Sequence, residues 1–270
     1  MLTATNLLFR AGHRVLIDRI SASFEPARLH LIIGPNGAGK STFIRLLARL
    51  LRPGEGQVLY DGQDVAHRNE RELARCRAVL SQAVEVAFPL PVRELVLMGR
   101  YPHFTASPGE GDLQVCEEVM QFFDVAGMAD RSYGTLSGGE KQRVQFARVL
   151  AQIWRPLDGA TRLLFLDEPL TFLDIRHQID FMQKVRMFAS HHDVIVLGVV
   201  HDLNLAAQFA DRLLLLHEGR ILADGATGDV LTGEHLRTAF AIAPVLLTNP
   251  ATGRVHLAFE DSRGADTELT

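Results

Sequence analysis

The sequence predicts an α/β fold with a mixed sheet core, an N-terminal antiparallel β subdomain and a helical insertion subdomain. Three observations carry that prediction. Leu29 to Ile33 is a compact apolar run that ends at Gly34, the pattern of a buried strand. A glycine-rich turn comes next, and then Phe43, Leu46, Leu47, Leu50 and Leu51 recur at helical spacing and form one apolar stripe. The same parallel-sheet character returns at Leu163 to Leu166 and at Val194 to Val200.

The remaining elements can be placed in chain order. Leu7 to Phe9 and Val15 to Ile17 read as short strands on either side of a turn at Gly12. Pro53-Gly54 is expected to stop the first helix. Val58 to Tyr60 and the turn Asp61-Gly62 suggest a second hairpin arm. From Val92 to Val125 the pattern is mainly helical, interrupted between Tyr101 and Gly111 by two prolines and two glycines. Arg212 to Leu222 reads as two strands joined at Glu218-Gly219, and the polar end DSRGADTELT is expected to fray. No internal repeat and no flexible linker is visible.

Composition removes several classes. The chain has 270 residues, 47% hydrophobic and 22% charged, an ordinary globular balance. A net charge of −4 offers no overall basic field for nucleic acid or anionic lipid. No apolar run reaches the roughly 18 residues of a membrane span. The start, MLTATNLLFRAGHR, lacks a secretory leader's apolar stretch. Cys76 and Cys116 have neither metal nor redox spacing and are expected as reduced thiols in a cytosolic protein.

Four segments carry chemistry. Gly34, Pro35, Asn36, Gly37, Ala38, Gly39, Lys40, Ser41 and Thr42 fill the G-x-x-x-x-G-K-[ST] template. Its glycines let successive N–H groups face phosphate oxygens, and the helix N-terminus after them adds positive partial charge. Lys40 is expected on the β- and γ-phosphates and the Ser41 hydroxyl on Mg²⁺. Leu163 to Pro169 reads LLFLDEP: a buried strand that ends in two carboxylates, with Pro169 stopping it. Asp167 would organise Mg²⁺ and Glu168 would polarise the attacking water, although adjacent carboxylates can also cap a helix. Ser137, Gly138 and Gly139 open a helix that runs toward Ile153, with Glu140 favouring its N-terminus. Finally, His201 comes directly after the strand Val194 to Val200.

Leu136 to Arg143, LSGGEKQR, set between the phosphate loop and the acidic strand end, resembles the signature of the ATP-binding cassette (ABC) ATPases. The resemblance implies a P-loop NTPase cassette and two chains head to tail, each signature serving the ATP held by the other. It implies Gln82 at Mg²⁺ and the catalytic water, His201 on the γ-phosphate and Glu168, and Asp174 in the loop crossing the dimer interface. LTFLD stands where the family usually has TSALD, which leaves the detail of that crossing open. The family's adenine-stacking aromatic is missing: counting back from Val15 gives Arg10, and Phe9 should face the other side of the strand, which leaves Arg10 stacking on the base, His13 approaching it, or an adenine that is weakly gripped.

Family-like sequence runs over residues 2–243, with the helical insertion at about 85–150 and a C-terminal extension over 244–270. Ala87 to Pro91, the adjoining VRELVLMGRYPHF, LDIRHQ and HDLNLAAQFADR resemble the metal-chelate importer branch (ferric siderophore, vitamin B12 and heme systems). The connection AQIWRPLDGATRLLFLDEP and the tail PVLLTNPATGRVHLAF are similar to bacterial hemin-import ATP-binding proteins. This likeness implies a homodimer using ATP and Mg²⁺ at the cytoplasmic face of the bacterial inner membrane. Two permease subunits would meet the insertion, and a periplasmic binding protein would act indirectly. Siderophore or B12 cargo stays open. A DNA-repair-type ATPase would need a long coiled coil, a translation factor two cassettes, and a nonhydrolytic regulator no base. The histidine pair His191-His192 reads as a solvated turn, and Met187 with Phe188 as helix packing.

Overall fold

The computed structural model describes residues 1–80, 89–157, 159–171, 173–251 and 254–259. Gln82, Ala87, Phe88 and the polar end 260–270 lie outside the described residues. The N-terminal part holds strands β1 (Leu2–Ala11), β2 (Arg14–Phe24), β3 (Arg28–Ile33), helix α1 (Lys40–Leu47), β4 (Glu55–Tyr60) and β5 (Gln63–Asp64). Next come α2 (Glu70–Cys76), β6 (Arg77–Leu80), α3 (Val92–Leu97), α4 (Glu110–Phe122) and α5 (Gly138–Ile153). The chain continues through β7 (Arg162–Asp167), α6 (Ile175–His192), β8 (Val194–Val199), α7 (Leu203–Phe209), β9 (Arg212–His217) and β10 (Arg220–Gly225). Helices α8 (Thr227–Val230) and α9 (Gly233–Phe240) and a hairpin of β11 (Val245–Thr248) and β12 (Val255–Ala258) complete it.

The central sheet has the order β10-β9-β3-β8-β7-β6. Its neighbours from β9 to β6 run parallel, and β10 adds an antiparallel edge. The buried strands sort their side chains by strict alternation. Leu164 and Leu166 of β7 and Val194 and Val196 of β8 enter one core with α5, α6 and the insertion helices. Leu163 and Phe165, with Ile195, Leu197 and Val199, enter a second core under α1 and the separate antiparallel sheet β2-β1-β4-β5. Continuous apolar runs are therefore what a strand needs when both of its faces are covered.

Several expectations need correcting. The strands around Gly12 are not short: β1 is paired on both sides, by β2 and β4, and this extends it and β2 well beyond the runs around Leu7 and Val15. Helix α1 does not reach Pro53. Arg49 turns left-handed (φ 54°), Leu50 N–H bonds Arg45 O at 2.8 Å and Arg49 N–H bonds Leu46 O at 3.0 Å, so a Schellman-type close ends it at Leu47. Leu50 thus leaves the stripe and is 50% exposed. His192 is not a solvated turn: α6 runs through it, and its ring lies 4.8 Å from Phe188 and 5.2 Å from Trp154. Phe188 is buried as expected, whereas Met187, one position round the helix, is exposed.

The segment from α3 to α4 is fastened to α5. A Cβ on Gly99 would stand 2.0 Å from the Arg148 carbonyl oxygen, so that backbone approach admits glycine alone. Buried Arg100 donates to Ala151 O at 2.7 Å and to Asp112 Oδ1 at 3.0 Å. At the other end of the chain the β11–β12 hairpin docks on α7, where Asn204 donates to Leu257 O (3.1 Å) and accepts from Leu257 N–H (2.8 Å).

Candidate nucleotide-binding site

The adjacent parallel strands β3, β8 and β7 deliver Gly34, Val200-His201 and Asp167-Glu168 to the C-terminal edge of the sheet, where open α/β sheets hold ligands. Gly34 (φ 150°), Gly37 (79°) and Gly39 (99°) shape the loop. A Cβ on Gly34 would lie 2.2 Å from Leu216 O, and one on Gly39 2.5 Å from Leu16 O. The loop is therefore wedged between β2 and the β9–β10 turn, and Gly219 N–H bonds Ala38 O at 3.1 Å to hold it there.

Lys40 is buried, and its Nζ donates to Gly34 O at 2.8 Å and Pro35 O at 3.0 Å. Burial lowers its pKa, while Glu168 and then Asp167 pull it back up. Ser41 and Thr42 stand half-buried in the first turn of α1. A sequestered ammonium, a glycine cradle and a helix N-terminus together fit a polyphosphate.

Asp167 is buried, and its Oδ1 has no hydrogen-bond partner. Arg45 reaches only its Oδ2, at 3.7 Å. A buried carboxylate oxygen without a donor is costly. Together with the Ser41 hydroxyl at the start of α1, it offers hard oxygen donors of the kind that fit Mg²⁺. Among the described residues no group of three or more His, Cys, Asp or Glu could hold a metal by itself. Phosphate oxygens and water would have to complete the shell.

Glu168 takes a left-handed backbone (φ 54°) just past β7, a strained choice for a non-glycine residue that is typical of functional turns. Its Oε1 lies 2.8 Å from His201 Nε2. The two face a cavity of about 220 Å³ that Thr171, Gln178 and Asp202 help to line. The turn after Glu168 is tied down by side chains the sequence did not single out. Gln142 donates to Pro169 O at 2.9 Å, and Gln178 to Leu173 O at 3.0 Å and Leu170 O at 3.3 Å. Both glutamines lie inside motifs read from the sequence, LSGGEKQR and LDIRHQ, but no spacing rule reveals a bond between Gln142 and Pro169.

Lys40, Asp167, Glu168 and His201 thus converge. Ser137, Gly138 and Gly139 do not join them: among the described residues no hydrogen bond or ion pair links them to the phosphate loop. They open α5 through a capping box, with Ser137 N–H bonding Glu140 Oε2 at 2.8 Å and Glu140 N–H bonding Ser137 Oγ at 3.3 Å. Those bonds hold the Glu140 pKa below the usual carboxylate range. Asp174 caps α6, accepting from His177 N–H at 2.9 Å, which also lowers its pKa, and it stays largely exposed. Phe9 packs against the second core, as its strand position requires, while Arg10 and His13 are exposed on the hairpin.

Fold and loop define a phosphate-loop nucleotide-binding α/β cassette. The chain belongs to the ABC transporter family, whose model matches residues 17–171. It is 45% identical over 253 residues to the hemin import ATP-binding protein HmuV of Gloeobacter violaceus, covering 94% of this chain and 92% of that one. It is 42% identical to the protein of that name from Methylobacillus flagellatus, with 96% of each covered. A solved structure described as an inward-facing metal-chelate type ABC transporter superposes with a TM-score of 0.80, at 24% identity over 97% of this chain and 98% of that one. A dimeric bacterial ABC transporter cassette gives a TM-score of 0.71 at 24% identity, over 84% and 99%.

Proposed function

We propose that this chain is the ATP-hydrolysing subunit of a bacterial hemin importer. It works as a homodimer at the cytoplasmic face of the inner membrane, on two permease subunits that a periplasmic binding protein supplies. The observation that carries the enzymatic half is the Glu168–His201 contact of 2.8 Å beside the buried Lys40. Hemin as cargo is supported by relatives of nearly full length that carry that name. Residues 2–243 form the cassette in this reading, and 244–270 an extension.

Lys40 and the amides of residues 34–42 hold the β- and γ-phosphates. Bound Mg²⁺, on Ser41 and Asp167 with Gln82, would neutralise charge on those oxygens. Glu168 takes the proton from the attacking water, and His201 orients it and contacts the γ-phosphate. Ser137, Gly138 and Gly139 approach the phosphate held by the partner subunit, with Asp174 in the crossing loop. ATP favours the closed dimer because only that state engages it from both sides. Closure moves the permease through the insertion.

The test is phosphate release by the complex in proteoliposomes. Hemin-loaded binding protein should stimulate it; stimulation by a ferric siderophore or cobalamin alone would move the cargo. Glu168→Gln should lower turnover by about 10²–10⁴-fold and leave a stable ATP-bound dimer. Undiminished hydrolysis would remove Glu168 from its role.

A further inference from the structure

The β11–β12 hairpin plays no part in the proposed hydrolysis, yet it docks beside one of the reacting groups. Of the residues in its two strands, Leu257 alone is buried. It joins the core that holds Leu203, Leu205 and Ala206 of α7. Along the other strand Val245, Leu246 and Leu247 all stay exposed. Asn204 fastens the hairpin at the same point, donating to Leu257 O at 3.1 Å and accepting from Leu257 N–H at 2.8 Å. A side-chain amide carries both a donor and an acceptor, so it can meet a strand edge as a neighbouring strand would.

Asn204 lies in the first turn of α7, the helix that His201 and Asp202 lead into. Its N–H and that of Leu205 bond Asp202 Oδ1 at 2.8 and 2.9 Å and so cap the helix. One residue therefore holds the cap through its backbone and the hairpin through its side chain. On the strand side, Val200 N–H bonds Ile32 O at 3.2 Å. His201 stands between these two anchors, its side chain 47% exposed and its Nε2 2.8 Å from Glu168 Oε1. The path of the chain out of β8 sets where that imidazole points, and the first turn of α7 fixes that path. The same turn borders the cavity that the pair faces, through Asp202 and Leu205.

Resting on the hydrolytic reading, we propose that the β11–β12 hairpin is a strap that positions His201 against Glu168, with Asn204 as the positioning residue it acts through. The Asp202 cap uses no atom of the hairpin, so α7 can start without it. What the hairpin adds is a second point of attachment, which limits movement of the first turn. That attachment is shallow: one buried leucine and two amide bonds are the kind of contact that local opening reverses first. An open strap leaves the phosphate loop untouched and loosens the histidine.

Phosphate release by the complex in proteoliposomes tests this, with ATP affinity measured on the full chain. Asn204→Ala and Leu257→Ala should each lower kcat by about five- to fiftyfold, because a small misplacement of a reacting group is costly. ATP affinity should stay the same, and amide hydrogen exchange at Leu257 should quicken in Asn204→Ala. Leu247→Ser, at an exposed position of the hairpin, should change none of these. Additivity separates positioning from folding. His201→Ala should lower turnover, and adding Asn204→Ala to it should lower turnover no further, since the strap then has no imidazole to place. The proposal is overturned if both variants keep full turnover, if the Leu257 amide exchanges no faster in Asn204→Ala, or if Asn204→Ala costs the same factor with and without His201. Full turnover by His201→Ala would instead remove that histidine from the hydrolytic reading, and the strap with it.

Discussion

The phosphate loop and the signature turn are both glycine-rich entries into helices, yet their glycines answer to different neighbours. In the loop, side chains at Gly34 and Gly39 would strike the carbonyls of Leu216 and Leu16. At Gly138 and Gly139 an added Cβ meets nothing within 4 Å. The first pair is required by packing inside the chain. The second has no such reason among the described residues of this chain. The open space over these two glycines leaves room for a close approach from outside, which is what the proposed sandwich of two copies supplies.

The sharpest break of that contrast is a matched pair of variants. Gly39→Ala places a side chain at positive φ against a carbonyl and should cost about 1–3 kcal/mol of folding stability, with ATP binding lost alongside. Gly138→Ala should keep or slightly raise the thermal midpoint, by up to about 1 kcal/mol of helix propensity, and leave ATP binding by the single chain intact. Hydrolysis by the assembled transporter should still fall. Full turnover by Gly138→Ala would remove the outside partner from the explanation of that glycine.

A second test compares the capping bonds. Ser137→Ala deletes the cap that accepts from Glu140 N–H and should cost about 1 kcal/mol in thermal or denaturant unfolding. If α5 were held by packing alone, the loss would not appear.

Acid acts on buried histidines that lie outside both turns. Burial lowers the pKa of His30 on the β3 side, and of His103 and His192 on the α5 and α6 side, below the ordinary 6.5. The folded state then binds fewer protons than the unfolded chain. Stability is complete above 6.5 and is lost as pH falls through the folded values. Thermal midpoints measured against pH should drop on the acid side, and His30→Gln should flatten part of that slope. An unchanged slope would mean that His30 does not contribute.

The smallest effect concerns the thiols. Burial pushes Cys116 up to about 11 and raises Cys76 as well. A thiol reagent at neutral pH should react slowly with the native protein and with both cysteines after unfolding. Fast native labelling would show that α4 opens.

Much of the site was legible in the sequence because the information is local. Strand, glycine turn and helix at Leu29 to Leu47 lie in one stretch, as do the LLFLDEP carboxylates, and the C-terminal ends of buried strands are where such sheets place ligands. Longer-range facts were not. Nothing near Leu50 announced that Arg49 would turn left-handed and end α1 early. Nor did the sequence suggest that His192 would pack beside a tryptophan from the end of α5.

The order and identity of residues 34–42, 137–139, 167–168 and 201 determined the class of protein, because each segment encodes its own turn chemistry within a few residues. The tertiary structure decided how they meet: the pairing of Glu168 with His201, the donor-free oxygen of Asp167, and the docking of Leu257 on Asn204. Those depend on which strands lie side by side and which backbones touch, and such contacts join positions far apart in the chain, where no local pattern records them.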